Sequence, residues 1–368
     1  MEPMNPNLKT PNTNTNTNTN TNNFNIPGIS PKQVFLAGFL VVATGIAIVG
    51  YIIYTNIYQA DLSEEVDSVD ITTNVDLSVK PEGKIYLTLK PVVGDLPQSL
   101  YFFDIGTKKL EKLFAAHEKG GFITTNKFLS GQEDIMTFVS LDDEERSQIF
   151  VSDISGDEVA MITEGGAVTK TNPEWSPHGE KIAFSTQESS TVSEFPSPED
   201  WSVYVMDLTH GEETFVGKGM YPKWSPDGKK LLIMKNDGLY LYDVGDNKLN
   251  KRVWEVVDGE TYIGMKIGLS YDGSILAWTN ANNGRVALFK ISSWNPFAMG
   301  VHKQFETHAF WPVFSPDNRF LVVQEIDWTE SDETNPRLVV YDLATGNRET
   351  ILDLSDYEQE AMFVTDWR

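Results

Sequence analysis

The chain has 368 residues, no cysteine, 53 acidic against 29 basic side chains, and 11% aromatic content. That length suits one large repeat fold or two ordinary domains. A formal net charge of -24 argues against a nucleic-acid partner, which needs clustered Lys and Arg for the phosphates. The lack of cysteine removes disulfides, thiolate metal sites and cysteine nucleophiles together.

Residues 1–33 are polar and repetitive, with an alternating Thr-Asn tract over Asn12–Asn22. Such a stretch buries too little apolar surface to offset its ordering entropy, so a disordered low-complexity tail is predicted. Val34–Tyr54 then runs 21 residues without a charge. As a helix it measures roughly 30 Å, the thickness of a bilayer's hydrocarbon core. A core helix of this composition would need burial on every side. A cleaved signal peptide would carry a shorter apolar region of ~7–15 residues and a small-x-small site. An uncleaved transmembrane helix over 34–58 and a linker over 59–79 are therefore expected. Ala43 and Ala47 stand four apart, a spacing common in any apolar helix and a weak dimerisation signal.

Lys9 and Lys32 precede the span, whereas Asp61, Glu64, Glu65, Asp67, Asp70 and Asp76 follow it before Lys80. Basic flanks stay on the cytoplasmic side, so the N-terminus is expected inside and the remainder outside the cytoplasmic membrane. The outer segment has no Asn-x-Ser/Thr acceptor, which points to a bacterial envelope.

Residues 80–368 carry an internal repeat: a large apolar anchor, a Ser-Pro-Asp-Gly-like turn, and an apolar strand seven residues after the anchor. The copies read Trp175-Ser-Pro-His-Gly179, Trp224-Ser-Pro-Asp-Gly228, Leu269-Ser-Tyr-Asp-Gly273 and Phe314-Ser-Pro-Asp-Asn318, with a degenerate Phe128-Leu-Ser-Gly-Gln132. Successive anchors are 47, 49, 45 and 45 residues apart. Pro presets φ, Asp bonds back to the backbone, and Gly or Asn accepts φ > 0, so each copy is a hairpin device. A second strand pair follows, marked by an aromatic or apolar run ending in Asp, as at Tyr101–Asp104, Val203–Asp207, Leu239–Asp243 and Leu338–Asp342. Four short strands per ~45 residues is the period of a propeller blade.

These motifs resemble the WD40-like repeats of TolB-type β-propellers, shared with the propeller domains of prolyl-oligopeptidase-type enzymes. The departures are His178 for Asp, Tyr271 for Pro and Asn318 for Gly, and the 128–132 copy keeps neither Pro nor Asp. Val364-Thr-Asp-Trp-Arg368 reads like an inner strand that stops before its turn, and Pro81–Leu89 reads like the missing half. Pairing the two would complete a first blade and remove the last open edges. The expectation is an all-β, six-bladed β-propeller of four-stranded blades, the first completed by the C-terminal strand and the whole preceded by one transmembrane helix. The expected blades are 84–114 with 362–368, 124–163, 173–217, 222–255, 264–305 and 310–354. A seventh blade from 61–79 is the minority reading, for want of a full strand set.

Catalytic motifs are missing: there is no Gly-x-Ser-x-Gly elbow, His-Glu-x-x-His, Walker loop or dinucleotide fingerprint. His117, His178, His210, His302 and His308 lack ligand spacing and read as solvated or turn residues. In the peptidases that the motifs resemble, the nucleophile lies in a hydrolase domain outside the propeller, and no such domain is expected here. No catalytic, metal or cofactor-binding residue is predicted, although a site assembled from separate blades is compatible with silence in local sequence.

Connections between the second and third strands of each blade share one face, and three are acidic. Residues 141–147 hold Asp142, Asp143, Glu144 and Glu145; residues 187–202 hold Glu188, Glu194, Glu199 and Asp200 with Phe195 and Trp201. Residues 325–336 hold Glu325, Asp327, Glu330, Asp332 and Glu333 around Trp328. The bland reading is hydration of a tethered domain. The sharper reading is a binding rim for a cationic protein or cell-envelope component, with Phe195, Trp201 and Trp328 as exposed anchors. Calcium is a subsidiary option, since clustered carboxylates suit hard cations, but no EF-hand spacing occurs. A hydrolase or lyase acting at the central channel is the competing class.

Overall fold

The computed structural model describes residues 79–91, 99–115, 126–129, 132–144, 146–156, 158–166, 169–187, 198–255, 267–279, 284–326, 336–354 and 359–368. The predicted tail, the apolar span Val34–Tyr54 and the linker lie outside them, and no helix among the described residues is long and apolar enough to cross a membrane.

The first strands are β1 (Lys84–Pro91), β2 (Ser99–Asp104) and β3 (Lys109–Ala115). Next come β4 (Asn126–Leu129), β5 (Gln132–Leu141), β6 (Ser147–Asp153) and β7 (Val159–Met161). The third group is β8 (Thr169–Trp175), β9 (Lys181–Gln187), β10 (Ser202–Asp207) and β11 (Glu212–Lys218). The fourth is β12 (Met220–Trp224), β13 (Lys230–Lys235), β14 (Gly238–Asp243) and β15 (Lys248–Glu255). After these run β16 (Ile267–Leu269), β17 (Ile275–Thr279), β18 (Arg285–Trp294) and the long β19 (Phe297–Phe314). The chain finishes with β20 (Phe320–Ile326), β21 (Pro336–Asp342), β22 (Arg348–Asp353) and β23 (Gln359–Trp367).

All pairing is between antiparallel neighbours. Four-stranded sheets run β4 to β7, β8 to β11 and β12 to β15, and a seven-stranded sheet runs β16 to β22. The boundary expected near 305–310 falls inside β19, which pairs with β18 through Phe297–His308 and with β20 through Ala309–Phe314. β19 is thus the outer strand of one four-stranded group and the inner strand of the next. The remaining sheet has the order β23-β1-β2-β3, with Trp367 opposite Ile85 and Phe363 opposite Thr88. The last strand of the chain therefore completes the first sheet.

Each Ser-Pro-Asp-Gly turn is built from its own side chains. The Ser225, Ser270 and Ser315 hydroxyls donate to Asp227, Asp272 and Asp317 and accept the N–H groups of Lys230, Ile275 and Phe320. The residue seven after the anchor is its direct cross-strand partner, as in Trp175–Ile182, Trp224–Leu231, Leu269–Leu276 and Phe314–Leu321. The Asp that ends each third strand makes the next turn. Asp207 accepts the N–H groups of Thr209 and His210, Asp243 those of Gly245 and Asp246, and Asp342 those of Ala344 and Thr345. The second oxygen of each takes a cation at or just before the start of the second strand: Lys181, Lys230 or Arg319.

Second strands are apolar on both faces, as in Leu231-Leu-Ile-Met234, because each sheet is covered on both sides. Tyr86 and Leu100 pack on Phe128 and Met136; Val139 and Ile149 pack on Trp175 and Phe184; Val203 and Val205 pack on Trp224 and Leu231. Leu232 and Leu241 meet Leu276 and Trp278, and Leu288 meets Phe314 and Leu321. Val322 and Leu338 finally meet Ile85, Leu87 and Trp367, which joins the last sheet group to the first. Each fully buried Leu, Ile or Val is worth roughly 1.5–3 kcal/mol, so the apolar faces between sheets are the main cohesive surfaces.

Candidate functional site

The inner strands converge on an axial cavity of about 30 Å³. It is lined by the residue immediately before each anchor: Lys127, Glu174, Lys223, Gly268 and Val313. The corresponding residue of β23 is Asp366. Lys127 Nζ lies 3.0 Å from Asp366 Oδ1, and Lys223 Nζ lies 2.6 Å from Glu174 Oε2. Charge thus alternates over four successive inner strands, acid-base-acid-base, and stops at Gly268. A Cβ there would sit 2.5 Å from the Pro312 carbonyl oxygen, so the close approach of two inner strands excludes a side chain.

Asp366 is the hub. Its side chain is 0% exposed and accepts the Phe128 N–H (3.0 Å), Lys127 Nζ (3.0 Å), the Tyr271 hydroxyl (3.2 Å) and Arg368 Nε (3.4 Å). Burial alone would raise this carboxyl's pKa; Lys127, Arg368 and the Phe128 N–H outweigh it and hold the group below the ordinary carboxylate range. For Lys127, burial opposes the charge, but Asp366 and Glu174 raise its pKa. Lys223 is lowered, because burial outweighs the pull of Glu174.

Two departures from the turn motif meet at this end of the channel. The N–H of Tyr271, which a proline could not offer, donates to Asn318 Oδ1 at 2.6 Å. The Tyr271 hydroxyl crosses to donate to the Trp367 carbonyl at 2.7 Å. The turns interlock here as well: Gly273, at φ +68, leaves room for Pro226, which a Cβ would meet at 2.3 Å.

The inner strands share a second local device. Asn172, Tyr221 and Trp311 have φ of 54, 53 and 57, and each precedes a proline. The pairing register shifts at each of these points, between Thr171 and Glu174, Met220 and Lys223, and Phe310 and Val313. Left-handed backbone costs a bulky residue of order 1–3 kcal/mol, and these bulges bend the strands around the cavity. The anchors then tie neighbouring sheets: Trp175 Nε1 donates to the Lys127 carbonyl (3.2 Å) and Trp224 Nε1 to the Glu174 carbonyl (3.1 Å). Both signals were present in the sequence as Asn172-Pro-Glu-Trp, Tyr221-Pro-Lys-Trp and Trp311-Pro-Val-Phe.

The predicted rim residues divide. Glu194, Phe195, Asp327, Trp328, Glu330, Asp332 and Glu333 lie outside the described residues. Asp143, Glu144, Glu199 and Asp200 are exposed, the last two on a short 3-10 turn over Pro198–Asp200. Three predictions of exposure need correction; the first is Glu325, whose side chain is 7% exposed and accepts the Tyr341 hydroxyl and Arg348 Nη1 at the end of β20. Trp201 is only 7% exposed and packs in the apolar cluster with Met220, Leu232 and Leu239; it immediately precedes β10, where a large ring fills the space between sheets. The Asp142 side chain is 6% exposed. It accepts Arg146 Nε (2.8 Å), Gln148 Nε2 (3.0 Å) and the Arg146 and Glu144 N–H groups (2.8 and 3.0 Å). Burial opposes its ionisation, but these bonds lower its pKa; Asp142 shapes the loop rather than presenting charge.

His178, His210 and His302 are exposed, and His210 Nδ1 sits 3.1 Å from Asp207 in a turn. Burial and then Arg285 lower the pKa of His308. Among the described residues, no three or more His, Asp or Glu side chains are grouped to hold a cation. An open cleft of about 620 Å³ lies outside the channel between Val79–Gly83 and the turn at Ser315–Asp317.

No protein-family model matches the chain. A peptidase described as uncharacterized, YuxL of Bacillus subtilis (strain 168), is 26% identical over 181 residues, which is 48% of this chain and 24% of YuxL. Among solved structures, TolB from Acinetobacter baumannii superposes with a TM-score of 0.58 at 19% identity, covering 77% of this chain and 66% of that one. The nidogen/laminin complex matches with a TM-score of 0.54 at 10% identity, covering 76% and 97%. A puromycin-hydrolyzing peptidase of Mycobacterium tuberculosis matches at 0.50 and 16% identity, covering 73% and 44%. The chain thus spans about a quarter of the curated relative and just under two thirds of TolB. Together with the ordered antiparallel sheets, these likenesses identify the fold: a β-propeller similar to that of TolB.

Proposed function

We propose that this chain is a membrane-tethered, extracytoplasmic six-bladed propeller that works as a binding or scaffolding module for a protein or cell-envelope partner. The count of six takes the seven-stranded sheet as two blades sharing β19. The tether is the apolar span Val34–Tyr54, and the cytoplasmic membrane with the N-terminus inside is its proposed setting. The propeller likeness to TolB and to the nidogen/laminin complex supports a role in protein contact.

One observation carries the reading: the axial ionisable groups are paired with one another around a cavity of about 30 Å³. Such a cavity admits a few waters or one small ion rather than an organic substrate. Contacts with a large partner are then made on the outer surfaces. The loop rim is the proposed one, with Asp143, Glu144, Glu199 and Asp200 as its described part; the acidic sequences 188–194 and 327–333 are assigned to it from the repeat pattern alone. A cationic partner is the complementary chemistry.

The test is affinity capture from solubilised membranes with the full chain, against a variant carrying Glu194→Gln, Glu199→Gln, Glu330→Gln, Asp332→Asn and Glu333→Gln. Loss of a specific captured partner in the variant supports the rim; identical captured sets discard it. Turnover of a substrate by the purified chain, abolished at the axial residues, would replace this reading with the hydrolase or lyase alternative.

A further inference from the structure

Six strands stand last in their four-stranded groups: β3, β7, β11, β15, β22 and the part of β19 that pairs with β18. A sheet edge is ordinarily guarded against strand addition by charge and by irregular pairing. β3, β11, β15, β22 and that part of β19 each carry at least two charged residues and at least one register shift against their neighbour. β7 has neither: it reads Val159-Ala-Met161 and pairs with β6 without a shift. Its three residues are exposed, Val159 by 47% and Met161 by 44%.

The backbone of β7 is set for a further strand. The Asp153 N–H donates to the Glu158 carbonyl, and the Ile162 N–H to the Ile149 carbonyl. Inward and outward groups alternate along an antiparallel ladder. Glu158, Ala160 and Ile162 therefore turn their main-chain groups towards β6, and Val159 and Met161 turn theirs outwards. Phe138, Phe150 and Met161 are successive cross-strand partners over β5, β6 and β7, with the two rings stacked at 5.4 Å. This apolar row is buried at Phe138 and open at Met161. The surrounding sequence 154–166 contains Asp157, Glu158 and Glu164 but no lysine or arginine, and Glu158 and Glu164 are exposed.

We propose that β7 is a docking edge for an extended segment of a partner protein, added as a fifth strand, with apolar residues at alternate positions and Lys or Arg at its ends. Main-chain bonds to Val159 and Met161 hold the segment, its apolar side chains continue the row beyond Met161, and its cations meet Glu158 and Glu164. A second copy of this chain does not fit, because it would set the same acids against one another. The edge uses none of the rim residues and stands or falls without them.

The probe is a fluorescein-labelled peptide, Lys-Lys-Val-Thr-Val-Thr-Val-Lys-Lys, titrated with the purified full chain and read by anisotropy. Binding should saturate, and hydrogen exchange should slow over residues 158–162. Met161→Pro removes an outward N–H and spares the ladder to β6, as proline does at a sheet edge. It should weaken binding about tenfold, through one lost main-chain bond and one lost apolar contact. The peptide N-methylated at its valines, and the version with Glu in place of Lys, should not bind; both readouts stand even if the variant fails to fold. No saturable binding, equal affinity for the methylated peptide, equal affinity of folded Met161→Pro, or self-association of the chain that Met161→Pro abolishes would overturn the proposal.

Discussion

The channel axis and the acidic rim both concentrate carboxylates, yet they use them differently. At the axis, Asp366 and Glu174 are matched one to one with lysines on neighbouring inner strands, and rigid strands hold the partners in place. On the rim, Glu144 and Glu199 sit on connections between strands and are exposed. The loop 141–147 contains the contrast in miniature: Asp142 is buried and holds Arg146 and Gln148, whereas Glu144 lies at the surface. Charge in this protein is paired inside where inner strands converge, and at Glu144 and Glu199 it is exposed on the connections between strands.

Breaking the axial hub should have the largest effect. Asp366→Asn removes a fully buried carboxylate and leaves the half-buried Lys127 and Arg368 opposite a neutral group, so urea unfolding should show a loss of about 3–5 kcal/mol. The same residue sets a pH dependence. Its folded pKa is depressed, so its contribution is fully present above the unfolded carboxylate value of about 3.9 and is lost as pH falls through the folded value. Urea midpoints taken between pH 5 and pH 2 should fall less steeply in Asp366→Asn than in the natural chain.

Within the loop, Asp142→Asn weakens the bonds to Arg146 and Gln148 and should cost about 1–2 kcal/mol, whereas Glu144→Gln should change stability by less than about 0.5 kcal/mol. Equal effects at the two positions would erase the distinction between a structural and a displayed carboxylate. Between these, Trp224→Phe removes the indole bond to the Glu174 carbonyl and should cost about 1 kcal/mol, read from the shift in urea midpoint. Tyr271→Phe keeps the N–H bond to Asn318 and loses only the hydroxyl bonds to Trp367 and Asp366. Its expected loss is under about 1.5 kcal/mol, and thermal unfolding is the measurement.

Much of the fold was legible because its rules are local. The serine, proline, aspartate and glycine of each turn act within five residues of one another, and the apolar residue seven after each anchor is the partner that hairpin geometry requires. The half-repeat at Val364–Arg368 likewise pointed to its complement at Ile85. The site was less legible. Trp201 reads as a surface aromatic beside Glu199 and Asp200, but its ring packs inward against Met220 of β12 and Leu232 of β13. Tyr271 and Asn318 look like separate defects until the turns are placed side by side, where each supplies what the other needs.

By itself the sequence determined the strands, their turns and their repeating order, since these follow from backbone stereochemistry and apolar periodicity over a few residues. Only the tertiary structure decided that Lys127, Glu174, Lys223 and Asp366 meet. Each stands just before the anchor of its own repeat, but the residue type at that position changes from copy to copy, and they come together because every inner strand brings that position to the same axis. There low access to water makes opposite charges pair.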